Sequence, residues 1–526
     1  MTQRQVSQQS EISSWKKIFT GRLGIYTLVL NLAIALFGID IFVISTIMPT
    51  IVADIGGAQF YSWTVMLYMV GSIIGSSSAG PVKELFGRRS GYVFAGLLFA
   101  IGNLGAFFAP DMVILLIWRL VQGLGGGLMV SQSFGLVGDV FPRELRVRIL
   151  SMISTTWGLA TIIGPGFGGI FAEFTIWRAA FACVVPLGLV FVLLAWRFIP
   201  SSAGKGLTKK SISIFPIYRL AGLGGSILCV GFSSQFEETF IRAALILVAI
   251  GAVVLAFRRD TISDNPIFPK KTLVINSEIG SAYWIILLTT MSFVFGTIYV
   301  TLYLQVIHNQ APLVAAYIHA LMSLSWTASS LMVASISGRP IWWVIIGGVF
   351  LILVGIVLLS IWAVSGSVIA PILGLILVGF GMGLSNNHII ALAISAVPDG
   401  QSSLAGSAVQ TIRNLGIGFG SASAGLFANI GGLADAGIKT NTAGKTVALI
   451  PEEIVYAIDL VHRVDIIIAS TALISNINIL CASAKTRTLV AQIRCKYIFH
   501  LLGNTLVLVT TYFGVKRFGF LISRPL

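Results

Sequence analysis

The stretch Gly80-Pro-Val-Lys-Glu-Leu-Phe-Gly-Arg-Arg89 is a short polar segment in a very apolar chain. Apolar runs enter and leave it, and each is long enough to cross a bilayer, which takes ~20 apolar residues per helix. Gly80, Pro81 and Gly87 are typical of a tight turn. The stretch is therefore predicted to be a loop between two membrane helices. Its two arginines either mark only the cytoplasmic side or belong to a more specific loop motif, which their spacing favours.

The composition indicates an all-α polytopic membrane protein. The chain has 526 residues, of which 56% are hydrophobic and 10% are charged, whereas a soluble protein carries about 25% charged residues. Backbone groups in lipid must be bonded within their own segment, so long apolar runs are expected to be helices. The net charge of +15 does not indicate nucleic-acid binding, because the charges fall in alternate loops. No period-2 alternation suggests a membrane β-barrel.

The apolar runs predict about fourteen membrane helices. Basic residues concentrate in alternate loops, which places the N-terminus on the cytoplasmic side. Compact loops and the absence of N-x-[ST] sequences favour the inner (plasma) membrane of a bacterium. The predicted helices are 24–48, 62–81, 90–109, 112–138, 147–172, 178–199, 215–233, 239–257, 278–305, 311–336, 341–363, 368–396, 403–430 and 464–482.

The opening stretch resembles the signature loop between helices 2 and 3 of the major facilitator superfamily, G-x-L-a-D-r-x-G-r-r. Gly80, Gly87, Arg88 and Arg89 match this pattern, and Glu84 stands where the family has Asp. The first basic residue of the pattern is missing. The resemblance implies the major facilitator fold, and it implies that these residues form a loop that gates conformational change.

The resemblance also implies a parallel repeat of two six-helix bundles, here with two inserted helices. A faint internal repeat agrees, since Ser337-Gly-Arg-Pro340 precedes an apolar run much as Gly87-Arg-Arg89 does. Residues 431–461 are expected to form an outer loop with a short helix at 451–461. The expected regions are a cytoplasmic N-terminus 1–23, an N-terminal six-helix bundle 24–199, a linker with two inserted transmembrane helices 200–276, a C-terminal six-helix bundle 277–482, and a basic tail 483–526 of undecided structure.

Asp40 lies in the middle of the first predicted helix. A charged side chain at membrane depth costs at least ~2.5–3.5 kcal/mol, so a functional role is the default interpretation. A proton carrier and a structural Asp near Pro49 both remain open. The segment is similar to the first-helix motif of fourteen-helix drug:proton antiporters, and Asp40 and Pro49 keep the family spacing. The similarity implies proton coupling at Asp40.

Arg119 lies inside the fourth predicted helix, within Trp118-Arg119-Leu-Val-Gln122-Gly123. The segment resembles the family motif R-x-x-q-G, which implies a role for Arg119 in proton coupling. A buried guanidinium needs a carboxylate, carbonyl groups or water as its partner. The alternative is an arginine at the outer membrane surface.

The fifth predicted helix contains Gly164-Pro-Gly-Phe-Gly168-Gly169. Gly164, Pro165, Gly168 and Gly169 match the antiporter motif g-x-x-x-G-P-x-x-G-G, which in the family marks exporters rather than importers. Proline kinks a helix and glycine allows neighbouring helices to approach closely. We therefore expect a hinge between the two halves at this motif.

Three polar residues are candidates for a substrate cavity. Gln122 belongs to the fourth-helix motif, and Asn387 and His388 lie in predicted helix 368–396, which by resemblance lines the central cavity. For the lone His388, a packing role is the competing interpretation. Among the aromatic residues, further candidates for an apolar lining are Phe37, Trp157, Trp284 and Tyr299.

Together these features predict a secondary active transporter that exports amphipathic, drug-like molecules in exchange for protons by alternating access. The alternatives are an exporter of one specific metabolite or siderophore, a proton-coupled importer, which the fifth-helix motif disfavours, and a membrane receptor or scaffold without transport. No enzymatic activity, cofactor or metal site is expected, because the sequence has no metal cluster, nucleophile elbow or nucleotide-binding motif. The proton gradient is the expected energy source. The expected partners are a small-molecule substrate and the lipid bilayer, with envelope efflux partners left open and no nucleic acid.

Overall fold

The computed structural model describes residues 18–174, 176–201, 217–263, 266–275, 277–333, 336, 340–362, 368–397, 402–440 and 446–484. A helix occupies each of the fourteen predicted ranges, and the tail beyond residue 484 lies outside the described residues. The helices are α1 (Gly21–Ile55), α2 (Trp63–Ser77), α3 (Ala79–Phe86), α4 (Arg88–Phe107), α5 (Met112–Val140), α6 (Arg143–Glu173), α7 (Trp177–Phe198), α8 (Ile217–Ser233), α9 (Thr239–Thr261), α10 (Glu278–Phe295), α11 (Val300–Val306), α12 (Pro312–Val333), α13 (Pro340–Trp362), α14 (Ile369–Ser395), α15 (Ser402–Ile430) and α16 (Pro451–Ala484).

Many of these helices can cross a membrane. Within the described residues, eight helices are long and apolar enough to span it, or nine if the bent pair α2–α3 counts as one span. Apolar side chains face outward along much of their length, as the exposed Phe94, Leu193 and Leu247 illustrate. The predicted all-α polytopic membrane fold is confirmed.

The structure corrects two local predictions. The stretch around residues 80–89 is not a loop, because α3 extends through most of it and meets α2 at a bend of 49°. The reversal is confined to Gly87, whose φ of 81° lies in the left-handed region that favours glycine. The short helix predicted at 451–461 is the first part of the continuous helix α16, and a small antiparallel hairpin, β1 (Ile438–Thr440) and β2 (Thr446–Ala448), precedes it.

The helix pairings repeat from one bundle to the other. In the N-terminal bundle α2 packs on α5, α4 on α5, α1 on α6 and α4 on α7. In the C-terminal bundle α12 packs on α14, α13 on α14, α10 on α15 and α13 on α16. Each contact in the first set has its counterpart in the second when the inserted helices α8 and α9 are set aside. This is the parallel two-bundle repeat of the predicted fold.

The two bundles meet mainly along two helix pairs, α2 with α15 and α6 with α12, and α1 also contacts α11 and α12. At the end of the molecule that carries the β1–β2 hairpin, called the hairpin end below, hydrogen bonds also join them. Thr301 Oγ1 donates to Ser45 O over 2.7 Å, and Asn429 Nδ2 donates to Gln59 O over 2.9 Å. Strand β1 itself lies against α1. The bundles are therefore tied together at the hairpin end.

The inserted helices α8 and α9 pack on each other, and α8 also contacts α2 and α15, one from each bundle. Asp260 holds this insertion together at the end of α9. Its carboxylate accepts hydrogen bonds from Arg219 Nη1 at 2.5 Å and from the backbone N–H groups of Ile267 at 2.8 Å and Phe268 at 2.9 Å. The inserted pair thus lies beside the boundary between the bundles.

Candidate functional site

The structure brings Asp40 on α1 and Arg119 on α5 together in the N-terminal bundle. Arg119 Nη1 donates to Asp40 Oδ2 over 2.6 Å, and the two side chains are 1% and 2% exposed, respectively. The sequence predicted each residue as a candidate without pairing them. Removing one partner of a buried ion pair strongly destabilises the protein, because the remaining charge is left without compensation.

Other groups complete the environment of the Arg119 guanidinium. Its Nε donates to Thr64 O over 3.2 Å, and its Nη1 also donates to Gln122 Oε1 over 2.8 Å. The Tyr68 ring lies against it, with 4.3 Å between Arg119 Cζ and the ring centroid. The guanidinium is therefore held by carbonyl oxygens and an aromatic face in addition to the Asp40 carboxylate.

Glycines on α2 and α5 set this geometry. A Cβ added at Gly71 would collide with the α5 backbone, and a Cβ added at Gly123 would collide with the carbonyl oxygen of Tyr68. Only glycine permits so close an approach of the two helices. The approach places Tyr68 of α2 on Arg119 of α5.

An aromatic cluster adjoins the ion pair. The Phe37 ring is tilted against the Tyr68 ring at a centroid distance of 5.4 Å, and it meets the Trp157 ring edge-on at 5.9 Å. Phe37 is one turn from Asp40 on α1, and Trp157 belongs to α6. The site therefore combines a carboxylate, a guanidinium and an apolar aromatic wall.

Two buried hydrogen-bonding groups in this site have no partner among the described residues. They are the hydroxyl of Tyr68 and the amide nitrogen of Gln122. Buried donors without partners are rare in folded proteins, because each one costs free energy. These two groups are available to a water molecule or to a polar group of a ligand.

The fifth-helix motif packs two faces of α6 against different neighbours. A Cβ at Gly164 would lie 2.6 Å from Phe42 Cβ, and a Cβ at Gly168 would lie 3.0 Å from Val43 O, both on α1. On another face, a Cβ at Gly169 would lie 2.7 Å from Leu313 Cα on α12 of the opposite bundle. Pro165 lies inside α6, which continues through it.

The signature residues lie at the far end of the N-terminal bundle from the hairpin. Gly80 and Glu84 are exposed on α3, and Gly87 is the reversal between α3 and α4. Arg88 and Arg89 are half-buried, and Arg89 Nε donates to Ile199 O over 2.9 Å, at the end of α7. Arg89 therefore links the start of α4 to the end of α7, while the gating role of the segment stays a prediction.

The structure does not bring the three candidate cavity residues into one contact. Gln122 bonds Arg119 inside the N-terminal bundle, whereas Asn387 and His388 lie on α14 in the other bundle. Asn387 is exposed and His388 is half-buried, and its Nε2 has no hydrogen-bond partner among the described residues. A shared substrate contact of these three residues stays a prediction.

Sequence reasoning missed four residues. Thr64 and Tyr68 hold Arg119 from α2, and no motif distinguishes a backbone carbonyl or one tyrosine among the twelve in the chain. His462 and Asp465 on α16 are buried in the C-terminal bundle. Asp465 begins the run Asp465-Ile-Ile-Ile-Ala, so the rule that singled out Asp40 would have found it too. No group of three or more possible metal ligands occurs among the residues described by the structure.

A model of the Major Facilitator Superfamily matches residues 30–421. The chain is 28% identical over 443 residues to a "Probable multidrug-efflux transporter" of Mycobacterium tuberculosis, covering 80% of this chain and 90% of that protein. It is 24% identical over 402 residues to "Multidrug resistance protein Stp" of the same species, covering 74% of this chain and 73% of that protein.

Solved transporter structures share the fold. A POT family transporter in complex with 5-aminolevulinic acid matches with a TM-score of 0.62 at 12% identity, covering 88% of this chain and 96% of that chain. A D-xylose-proton symporter matches with a TM-score of 0.57 at 16% identity, covering 77% of this chain and 90% of that chain. At these identities the likeness concerns the fold alone.

Proposed function

This chain belongs to the major facilitator superfamily, and we propose that it exports amphipathic, drug-like molecules in exchange for protons. The observation that carries the proposal is the buried Asp40–Arg119 ion pair, beside two donors without a described partner and an aromatic wall. The names of the mycobacterial relatives, which concern multidrug efflux and resistance, support this substrate class. The protein is an integral membrane transporter, and we place it in a bacterial inner membrane with its N-terminus in the cytoplasm.

The ion pair supplies a chemistry for proton coupling. Protonation of Asp40 turns the carboxylate into a neutral acid and removes the charge that compensates Arg119. The guanidinium then keeps only Thr64 O, Gln122 Oε1 and the Tyr68 ring as partners. Because a buried charge without its counterion is costly, protonation favours a rearrangement around Arg119.

The same site suits an amphipathic substrate. The rings of Phe37, Tyr68 and Trp157 offer apolar area and aromatic faces, which attract cations within about 6 Å of a ring centroid. A cationic substrate and a proton would both act on Asp40, since each neutralises the same carboxylate. Competition for one carboxylate couples export of the substrate to entry of the proton.

Alternating access requires that the bundles open and close against each other. In the proposed orientation the hairpin end faces outward, and the hydrogen bonds Thr301–Ser45 and Asn429–Gln59 hold that end together. The described conformation is then one that is closed toward the outside. The contact of Gly169 with α12 provides a close pivot between the bundles.

The test uses inside-out vesicles with an acidic interior and a panel of lipophilic cations and antibiotics. We expect addition of a substrate to alkalinise the interior in the wild type and not in Asp40→Asn. Asp54→Asn is the matched control, because Asp54 lies on the same helix but is 47% exposed, in an ion pair with Arg178 at 2.7 Å. Its response should equal that of the wild type.

Two results would contradict the proposal. One is an unchanged response in Asp40→Asn, which would exclude Asp40 from the proton path. The other is no response to the whole panel with correctly folded protein, which would favour an exporter of one specific metabolite or siderophore.

A further inference from the structure

Asp465 on α16 is a buried acid that the proposed coupling pair does not use. Its side chain is 0% exposed, and neither carboxyl oxygen has a hydrogen bond of normal geometry among the described residues. It faces α10, where the Ser292 hydroxyl lies beside it and a Cβ at Gly296 would collide with its Oδ2 atom. A carboxylate buried in this way, with no cation beside it among the described residues, is far more stable as the neutral acid.

His462 lies one helical turn before Asp465 and on the same face of α16. Its Nε2 is 3.0 Å from Gly296 O, so Nε2 is the nitrogen that carries hydrogen and donates. Its Nδ1 is buried and has no partner among the described residues. His462 is therefore placed to accept a proton on Nδ1 and to release one from Nε2 on the side of Gly296, where Asp465 lies.

The start of α16 lines an open cavity. A cavity of about 500 Å³ near the start of the helix is lined by Glu452, Tyr456 and Asp459, and by Asn309 after α11. A second, much smaller space is lined by His462, Tyr303 and Leu359. The ionisable residues Glu452, Asp459, His462 and Asp465 thus follow one another from the cavity into the protein at helical spacing.

Several other charged or ionisable groups lie near α16. Arg463 Nη2 bonds Asp459 Oδ2 over 2.6 Å, so that cation is directed to Asp459. Glu453 reaches toward Gly432, and Asp435 is exposed beside it. Burial lowers the pKa of His308 below its ordinary value, so this imidazole adds no charge near the cavity at neutral pH. The facing helix α13 contains no ionisable residue, and α15 contributes Arg413, which lies near the Trp326 ring.

We propose that Asp465 is a second proton-binding site, in the C-terminal bundle, and that it is loaded from this cavity through His462. A hydronium ion that passes from the cavity into the smaller space lined by His462 gives its proton to Nδ1 and leaves as water. His462 then passes the proton on its Nε2 to an Asp465 oxygen and returns to the neutral imidazole. This inference rests on the proposed exchange of substrate for protons. Whether Asp465 carries a proton can nevertheless be measured without measuring transport.

The test is infrared spectroscopy of the purified protein in lipid, over a series of pH values. We expect a carbonyl band of a protonated carboxylic acid at neutral pH that is lost in Asp465→Asn. Asp111→Asn is the matched control, because Asp111 is an exposed helix cap that Asn can replace, and it should keep the band. If Asp465→Asn does not fold, Asp465→Glu retains an acid and should shift the band.

Identical acid bands in the wild type and in the Asp465 variant would overturn the proposal. This result can be told apart from failure of the proposed function, because the infrared measurement requires neither a substrate nor proton flux. Conversely, loss of the band in Asp465→Asn together with absent proton flux in the vesicles would retain the site and reject the exchange.

Discussion

The two bundles bury an acid in different ways. In the N-terminal bundle Asp40 faces Arg119 at 2.6 Å, and a carbonyl, an amide and an aromatic ring complete the site. In the C-terminal bundle Asp465 faces the Ser292 hydroxyl and the backbone of Gly296 without a described cation. Arg119 gives the first carboxyl a counterion that offsets part of the cost of burying its charge, whereas the second carboxyl has no described counterion to do so. The same residue type thus lies in two different electrostatic environments in one chain.

The second site is not a copy of the first. In the repeat, α1 and α5 of the N-terminal bundle correspond to α10 and α14 of the C-terminal bundle. Asp465 lies on α16, which corresponds to α7, and it faces α10. The buried acids therefore occupy different positions of a shared architecture, and removing either one should have different consequences.

The largest expected effect is on stability, from removing the cation of the first site. Arg119→Met leaves the Asp40 carboxylate buried without its partner, so we expect a loss of about 3–5 kcal/mol in the free energy of unfolding. Denaturant unfolding in detergent measures it. Arg178→Met is the matched control, because that pair with Asp54 is partly exposed and should contribute only about 0–1 kcal/mol. Equal losses of unfolding free energy in Arg119→Met and Arg178→Met would show that the buried ion pair contributes no more than the exposed one.

An intermediate effect on stability and transport is expected at the contact between the two bundles. Gly169→Ala places a methyl group against the backbone of Leu313 on α12, so we expect a loss of about 1–3 kcal/mol and slower transport. Gly158→Ala on the same helix is the control, since a Cβ there meets no atom within 4 Å. If both variants transported equally well, α6 would not be a close pivot.

The smallest effect is expected at the second site. Asp465→Asn replaces a neutral acid by a neutral amide of similar shape, so the unfolding free energy at neutral pH should change by less than about 1 kcal/mol. The same denaturant titration measures it beside Arg119→Met. A loss as large as that of Arg119→Met would show that Asp465 is ionised and held by a counterion.

Much of the fold was predictable from local sequence. Apolar runs of membrane-spanning length predicted the helices, because a lipid-exposed backbone must satisfy its own hydrogen bonds. Glycine at position 87 predicted the reversal, since its φ of 81° is unfavourable for other residues. The helix across residues 79–86 was missed, because the proline and charges there favour a turn but are also tolerated in the first turns of a helix.

The site was predictable only in part. Intramembrane charge singled out Asp40 and Arg119 separately, since each is costly in lipid. Their pairing depends on the packing of α1 against α5 and on the close approach of α2 to α5 at glycines. Both are tertiary contacts, which local sequence does not reveal. Tyr68 entered the site through that contact, and no local pattern marks it. Asp465 carried the same signal as Asp40 but lacked a family motif around it.

The most direct measurement of the central claim is uphill transport by purified protein in proteoliposomes under an imposed pH gradient. A substrate identified in the vesicle panel would be followed in the wild type, Asp40→Asn and Asp54→Asn. We predict that the wild type and Asp54→Asn concentrate the substrate against its gradient, and that Asp40→Asn does not. Full concentrating ability in Asp40→Asn, with the protein folded, would contradict the account.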